Sequence, residues 1–260
     1  MALDTNLYTE TIGGGDAKLT MLTNAPKFFE NGDTTTLRPR GFIAAARFAN
    51  QVLEVQPTRM CLLRAASGPG VPGFKQIADW HPTQSGASIR ADGVHVREPG
   101  TMTVFQTADC LAAAFYHAVS RESVVVHCGR PAGEPVDGQN IVTDALDRVA
   151  PAGDVEQLQV VGIGSICGAH FPNEAGQARE QALSYLDEYG PEVFTDVATL
   201  SLNMKTFFTH VCVAAGLTQK QISFTGPDCT YAAPCCASHR QHLNENRPRN
   251  HAQSIIFTTH

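Results

Sequence analysis

The chain has no stretch approaching the roughly 18 consecutive apolar residues of a membrane span; one of its best runs, Leu111–Tyr116, is far shorter. No transmembrane segment is expected. It also lacks a basic start followed by an apolar segment: residues 1–16 are polar, carry Asp4 and Glu10, and the first lysine is Lys18. No secretory signal is expected, and a cytoplasmic location is. Positive charge is in deficit, with 19 Lys and Arg against 25 Asp and Glu and a net charge of −6. A net-negative chain has no global attraction for phosphate backbones, so no nucleic-acid partner is expected. There is no internal repeat and no low-complexity tract. Charged residues reach only 17% and apolar residues 43%, which excludes a disordered chain, a collagen and a coiled coil. What the chain does have is eight cysteines, at 61, 110, 128, 167, 212, 229, 235 and 236. In a cytoplasm that keeps thiols reduced, these read as core fillers, metal ligands or nucleophiles before disulfides.

The 260 residues suit one domain with an ample core. Residues 1–40, with Gly13-Gly14-Gly15 and Asn31-Gly32-Asp33, read as an irregular N-terminal arm whose turn-rich composition is compatible with short strands and loops. Apolar residues at helical spacing from Phe42 to Leu53 predict a helix ending at Gln56-Pro57. Met60–Ala66 reads as a buried strand and residues 67–87 as a long Gly- and Pro-rich loop. Residues 88–128 are short β-rich runs divided by turn dipeptides, which predicts adjacent strands. Helices are expected from Asp137 to Val149, Ala178 to Tyr189 and about Asp196 to Ala215. Strands are expected at Gln157–Cys167, Gln221–Gly226 and Ala252–Thr258, with residues 227–250 as a loop. The result is a mixed α/β chain.

Two runs deliver polar groups at their ends: Asp109 and Cys110 in TVFQTADCLAA, His127 and Cys128 in VVVHCGR. Strand ends present reactive groups to clefts. If the two strands pair as antiparallel neighbours, Cys110 and His127 fall on facing or adjacent positions. Thiolate and imidazole together suit two chemistries: they hold Zn²⁺ with an open position for a reactive oxygen, or the imidazole deprotonates the thiol to make a nucleophile. Against both stands the plain reading of a buried cysteine and a satisfied core histidine. Cys128 must point to the opposite face from His127 and reads as packing. The group Cys229, Cys235, Cys236, His239 and His242 does not match zinc-finger spacing.

The stretch ADGVHVREPG…VFQTADCLAAAFYH…SVVVHCG resembles the central signature of the laccase-domain family, described both as polyphenol oxidases and as zinc-dependent purine nucleoside phosphorylases. VVGIGSICGAHF, DCTYAAPCCASHR and RNHAQSIIFTT continue the resemblance, which covers roughly residues 45–260. It implies a single domain over residues 1–260 with a layered α-β-β-α architecture and mixed sheets, similar to the cysteine-hydrolase-like fold. It implies a zinc site in which Cys110 and His127 are two of three ligands, with Asp109 orienting a ligand from behind. The family's first histidine is replaced by Ser67, a poor zinc ligand, which leaves His81 in the following loop as the candidate substitute. An early arginine and a tryptophan of the family pattern are also missing, and Arg130 and Arg240 are the candidates for holding phosphate. The implied partners are small molecules, a purine nucleoside and phosphate. Two other readings stay open: a cysteine hydrolase or amidase using Cys110 and His127, and a non-enzymatic member that keeps the fold without the site.

Overall fold

The computed structural model describes residues 7–26, 59–64, 76–80, 88–130, 140–151, 153–245 and 251–260. The helix expected over Phe42–Leu53, the position of Ser67 and that of His81 lie outside them. Strand β1 (Leu7–Ile12) turns through Gly13–Gly15 into β2 (Ala17–Pro26) as an antiparallel hairpin. Within the arm, the short strands and turn compatible with its composition take the form of this hairpin. The turn needs left-handed backbone, φ 60°, 69° and 123° at the three glycines, which glycine adopts at no steric cost. Tyr116 Oη, from the second sheet, donates to Asp16 Oδ2 at 2.8 Å and fixes the hairpin's tip.

Next come β3 (Arg59–Arg64), β4 (Ile77–Asp79), β5 (Ser88–Arg90), β6 (Gly93–Val96), β7 (Thr101–Thr107), β8 (Leu111–His117) and β9 (Ser123–Cys128). Strand β4 lies within the stretch read as loop. Helix α1 (Ile141–Val149) starts at a capping box, Asn140 accepting from the amides of Val142 and Thr143 while Thr143 Oγ1 accepts from the Asn140 amide. Then follow β10 (Leu158–Ile163), α2 (Gly176–Tyr189), the short β11 (Phe194–Asp196) and β12 (Ser201–Leu202), and α3 (Met204–Ala214). The helix expected from Asp196 therefore begins eight residues late. Asp196 takes the Ala198 amide and the Thr199 hydroxyl in a turn, Leu200 sits at φ 49°, and Asn203 caps the helix through the Thr206 amide. The chain closes with β13 (Ile222–Thr225), a short α4 (His239–Glu245) inside the stretch read as loop, and β14 (His251–Thr259).

Twelve strands form two six-stranded mixed sheets, ordered β1-β2-β14-β7-β3-β5 and β13-β10-β8-β9-β6-β4, and β11 and β12 pair with each other. Met21, Phe105, Ile255 and Phe257 of the first sheet pack against Ala112, Ala114, Val125, Val161 and Ile163 of the second. The second sheet's other face, with Leu111, Ala113, Phe115, Val124 and Val126, receives Ile141, Val142, Ala145, Leu146 and Val149 of α1 and the aromatic stripe of α3. Strand β8 is buried on both faces, which is why LAAAFYH reads as an unbroken apolar run. Cys128 belongs to the helix-facing core. The runs of residues 88–128 are not all neighbours: β5 and β7 join the first sheet, while β6, β9 and β8 lie side by side in the second. The crossing from β7 to β8 is made at Ala108-Asp109-Cys110, with Asp109 at φ 82°. Aspartate tolerates that conformation better than most residues.

Close approach at β6 is tested by Gly93. A Cβ there would stand 2.8 Å from both Ile77 Cγ1 and Val126 Cγ1 and 3.2 Å from the Val125 carbonyl oxygen. Gly93→Ala is expected to cost about 2 kcal/mol of stability, read as a lower urea midpoint with an unchanged slope. An unchanged midpoint would mean that β4 yields without cost.

Candidate functional site

Three strand ends meet at one edge of the second sheet. Strands β8 and β9 pair antiparallel with Ala112 opposite His127, and β6 follows on the other side of β9, with Gly93 opposite Val126. Cys110 precedes β8, Asp92 precedes β6, and His127 is the last residue but one of β9. The His127 amide donates to the Asp92 carbonyl at 2.7 Å, which extends the ladder by one rung and brings the two side chains together. Asp92 Oδ1 lies 3.2 Å from His127 Nδ1, with the carboxylate buried and the ring 16% exposed. The Cys110 sulfur acts on the same ring electrostatically. With Nδ1 held by Asp92, Nε2 is the nitrogen left for the sulfur. The residues thus form a chain from carboxylate to imidazole to thiol.

Burial is the largest single influence on His127 and would lower its pKa. The negative charge of an ionised Cys110 and the Asp92 carboxylate outweigh it and carry the pKa up to about 10. A charged imidazolium facing the sulfur is favoured.

Asp109 does not take the part expected of it. Its Oδ1 accepts from Thr230 Oγ1 at 2.8 Å, and its Oδ2 accepts from Ser238 Oγ at 2.9 Å and the Arg240 amide at 2.8 Å. Both oxygens are engaged by the C-terminal segment, so Asp109 anchors the start of α4. The residue behind His127 is Asp92, which the sequence reading quoted inside ADGVHV without a role. Arg130 is held by the neutral side chains of Gln181 and Asn173, each at 2.8 Å. Its guanidinium carbon lies 5.9 Å from the Phe171 ring centroid, and that of Arg240 lies 5.0 Å from the same centroid. Two arginines separated by more than a hundred residues therefore converge on one aromatic ring. Arg130 follows His127 by three residues, and the Arg240 amide binds the residue next to Cys110.

A third grouping was missed. Cys167, His170 and Cys229 offer ligand atoms all within 4.8 Å of one another. Among the described residues, this is the one set of three such side chains able to share a metal ion. Burial and the neighbouring Cys229 push the Cys167 thiol up. Its only sequence signal is the Cys-x₂-His spacing of 167–170, since Cys229 arrives from a distant turn.

The family described as multi-copper polyphenol oxidoreductase laccase matches residues 41–252 of this chain. Solved structures share the fold. The hypothetical protein YfiH of Bacillus licheniformis superposes with a TM-score of 0.72 at 13% identity, covering 94% of this chain and 93% of that one. YlmD of Geobacillus stearothermophilus gives 0.72 at 14% identity, covering 96% and 94%. Protein NMB0706 of Neisseria meningitidis gives 0.62 at 13% identity, covering 94% and 95%. None of the curated proteins matches the chain by sequence. Among the described residues, no helix is long and apolar enough to cross a membrane.

Proposed function

Because the chain belongs to the multi-copper polyphenol oxidoreductase laccase family, we propose that it is an enzyme cleaving purine nucleosides with phosphate, as the phosphorylases of the laccase-domain type do. Cys110, His127 and Asp92 are its reactive centre, and Arg130 and Arg240 are its anion-holding pair. The observation that carries this reading is the Asp92–His127–Cys110 group at the strand ends, with Arg130 three residues after His127 and the Arg240 amide bound to Asp109, the neighbour of Cys110.

The residues divide the work. Phosphorolysis breaks the bond between ribose C1′ and the base and forms a bond from C1′ to a phosphate oxygen. The attacking phosphate must shed water and be held in line. Two guanidiniums over the Phe171 ring provide fixed donors on a hydrophobic floor, and charge-assisted bonds to phosphate are strong in such a setting. Asp92 holds Nδ1 and so fixes the ring, leaving Nε2 as the nitrogen for a ligand beside the Cys110 sulfur. These two side chains would hold a zinc ion, which when bound supplies polarisation of an oxygen. They fit two of its three protein ligands; Ser67 and His81 lie outside the described residues.

A second reading, a cysteine hydrolase, is favoured by one observation: the His127 ring, held at Nδ1 by the buried Asp92 carboxylate, is influenced by the neighbouring Cys110 sulfur. There Cys110 is the nucleophile and His127 its proton acceptor.

One assay separates them. The purified protein, with and without added zinc, is incubated with adenosine, inosine or guanosine in the presence and absence of inorganic phosphate. Free base and ribose 1-phosphate formed only with phosphate is the expected result. Base or ammonia released without phosphate selects the hydrolytic reading, and no turnover under any condition sinks both.

A further inference from the structure

We propose that Cys167, His170 and Cys229 are a second metal site, separate from the Cys110 centre, that binds one thiophilic divalent cation of the zinc type through two sulfurs and an imidazole nitrogen. The inference does not rest on the phosphorylase reading and survives its failure.

The ligand set is brought together by short-range geometry. Gly168–His170 form one 3₁₀ turn, and in such a turn residues three apart stack on the same side, so Cys167 and His170 face each other. His170 Nδ1 lies 3.1 Å from Cys167 Sγ and 3.5 Å from Cys229 Sγ. In tetrahedral zinc, sulfur at about 2.3 Å and nitrogen at about 2.05 Å stand roughly 3.6 Å apart, so a shift of a few tenths of an ångström suffices. The turn could not simply be filled by a larger chain. A Cβ at Gly168 would run into the Thr195 side chain, so the backbone must be glycine for the two ligands to be presented.

The surroundings fix the sulfurs and the ring. The Cys167 amide donates to Cys229 Sγ at 3.2 Å, which ties the two turns together at the ligand atoms. Tyr231 stacks on the His170 ring at 4.3 Å between centroids and 13° between planes, which holds the ring in the orientation that aims Nδ1 at both sulfurs. Two sulfurs and one nitrogen select zinc-type ions over Mg²⁺ or Ca²⁺, which take oxygen. Cys167 and His170 are partly exposed, which leaves room for water in a fourth position. Cys235 and Cys236, 4.0 Å apart, are both buried and have no histidine with them in any such group among the described residues.

The position gives the site a consequence. Its ligands come from the turn after β10 and from the turn before α4, which are joined by the Thr230 amide to the Ser165 carbonyl at 2.8 Å. Thr230 in turn donates to Asp109, the neighbour of Cys110. A cation here clamps the two turns that support the Cys110 corner.

The test uses the full chain, stripped with a chelator and titrated with Zn²⁺ or Co²⁺, with each thiol's alkylation by iodoacetamide followed by mass spectrometry. Zinc is expected to slow alkylation of Cys167, the more exposed of the two thiols, by about tenfold or more. Co²⁺ is expected to give a sulfur-to-cobalt charge-transfer band of which one part persists in Cys110→Ser and is lost in Cys167→Ser and in Cys229→Ser. Cys167 alkylating equally fast with and without zinc overturns the proposal. So does a cobalt band lost only in Cys110→Ser, or recovery of a Cys167–Cys229 disulfide at the same rate whether or not zinc is present. The shielding measurement needs only the unaltered protein, so poor folding of a variant leaves the answer intact.

Discussion

Cys110→Ala is expected to lower kcat/KM for phosphate-dependent base release by at least about a thousandfold, because it removes a group that acts at the reacting centre in both enzymatic readings. The unfolding midpoint should move little, since Cys110 is only partly buried and is not a member of either apolar core. Asp92→Asn separates positioning from chemistry. Loss of the carboxylate behind a working imidazole is expected to cost roughly 10- to 100-fold in activity or metal affinity. It also removes two of the influences that hold His127 at about 10, its hydrogen bond and its charge. The sign of the stability effect follows. The His127 pKa is raised in the folded protein above its ordinary value of about 6.5, so its contribution is complete below that pH and is lost as pH rises towards 10. The unaltered protein should therefore lose stability between about pH 7 and pH 10 more steeply than Asp92→Asn. Urea midpoints measured across that range decide it: parallel curves would show that Asp92 and His127 are not coupled, and a Cys110→Ala protein with full turnover would move the reactive centre elsewhere.

The legible parts of the fold were those whose pattern is local. Helix α1 shows apolar residues at 141, 142, 145, 146 and 149, and β8 reads as a continuous apolar run because both its faces are covered. The same locality hid the rest. In β1, Tyr8, Glu10 and Ile12 are the more covered positions, so a polar LYTETI carries little hydrophobic alternation to read. The start of the helix expected at Asp196 failed because side-chain turns at Asp196 and Asn203 outcompete helical hydrogen bonds. Cys110 and His127 could be paired on paper, since a hairpin connects them. Asp92 could not, because its approach depends on β6 lying beside β9 and not beside its sequence neighbour β7. Cys229 could be brought to Cys167 only by the turn contacts of Thr230 with Ser165 and Asp109. Long-range juxtaposition of this kind leaves no periodicity in the chain.

Asp109→Ala is expected to destabilise the protein by about 3–5 kcal/mol, the order expected when three donors lose their buried acceptor at once. The carboxylate is 5% exposed, and its loss strands the Thr230 and Ser238 hydroxyls and the Arg240 amide at once. Each is a donor in the segment that leads into α4, and Ser238 Oγ also accepts from the Gln241 amide at the start of that helix. Releasing the segment withdraws Arg240 from Phe171 and slackens the turn that carries Cys229. The loss should therefore extend past stability: the Michaelis constant for phosphate rises and cobalt binding at Cys167, His170 and Cys229 weakens, although neither site contains Asp109. Asp109→Asn distinguishes anchoring from charge. Asparagine tolerates the φ of 82° as well as aspartate does, and its single oxygen satisfies Thr230 or the Ser238 and Arg240 pair but not both sets. About half the stability loss is then expected, read by urea unfolding beside phosphate kinetics. If Asp109→Asn instead matches the unaltered protein in all three measurements, the neutral amide suffices and the network is held by shape without charge. If Asp109→Ala destabilises but leaves phosphate kinetics untouched, Arg240 is not part of the anion site, and Arg130 holds phosphate alone.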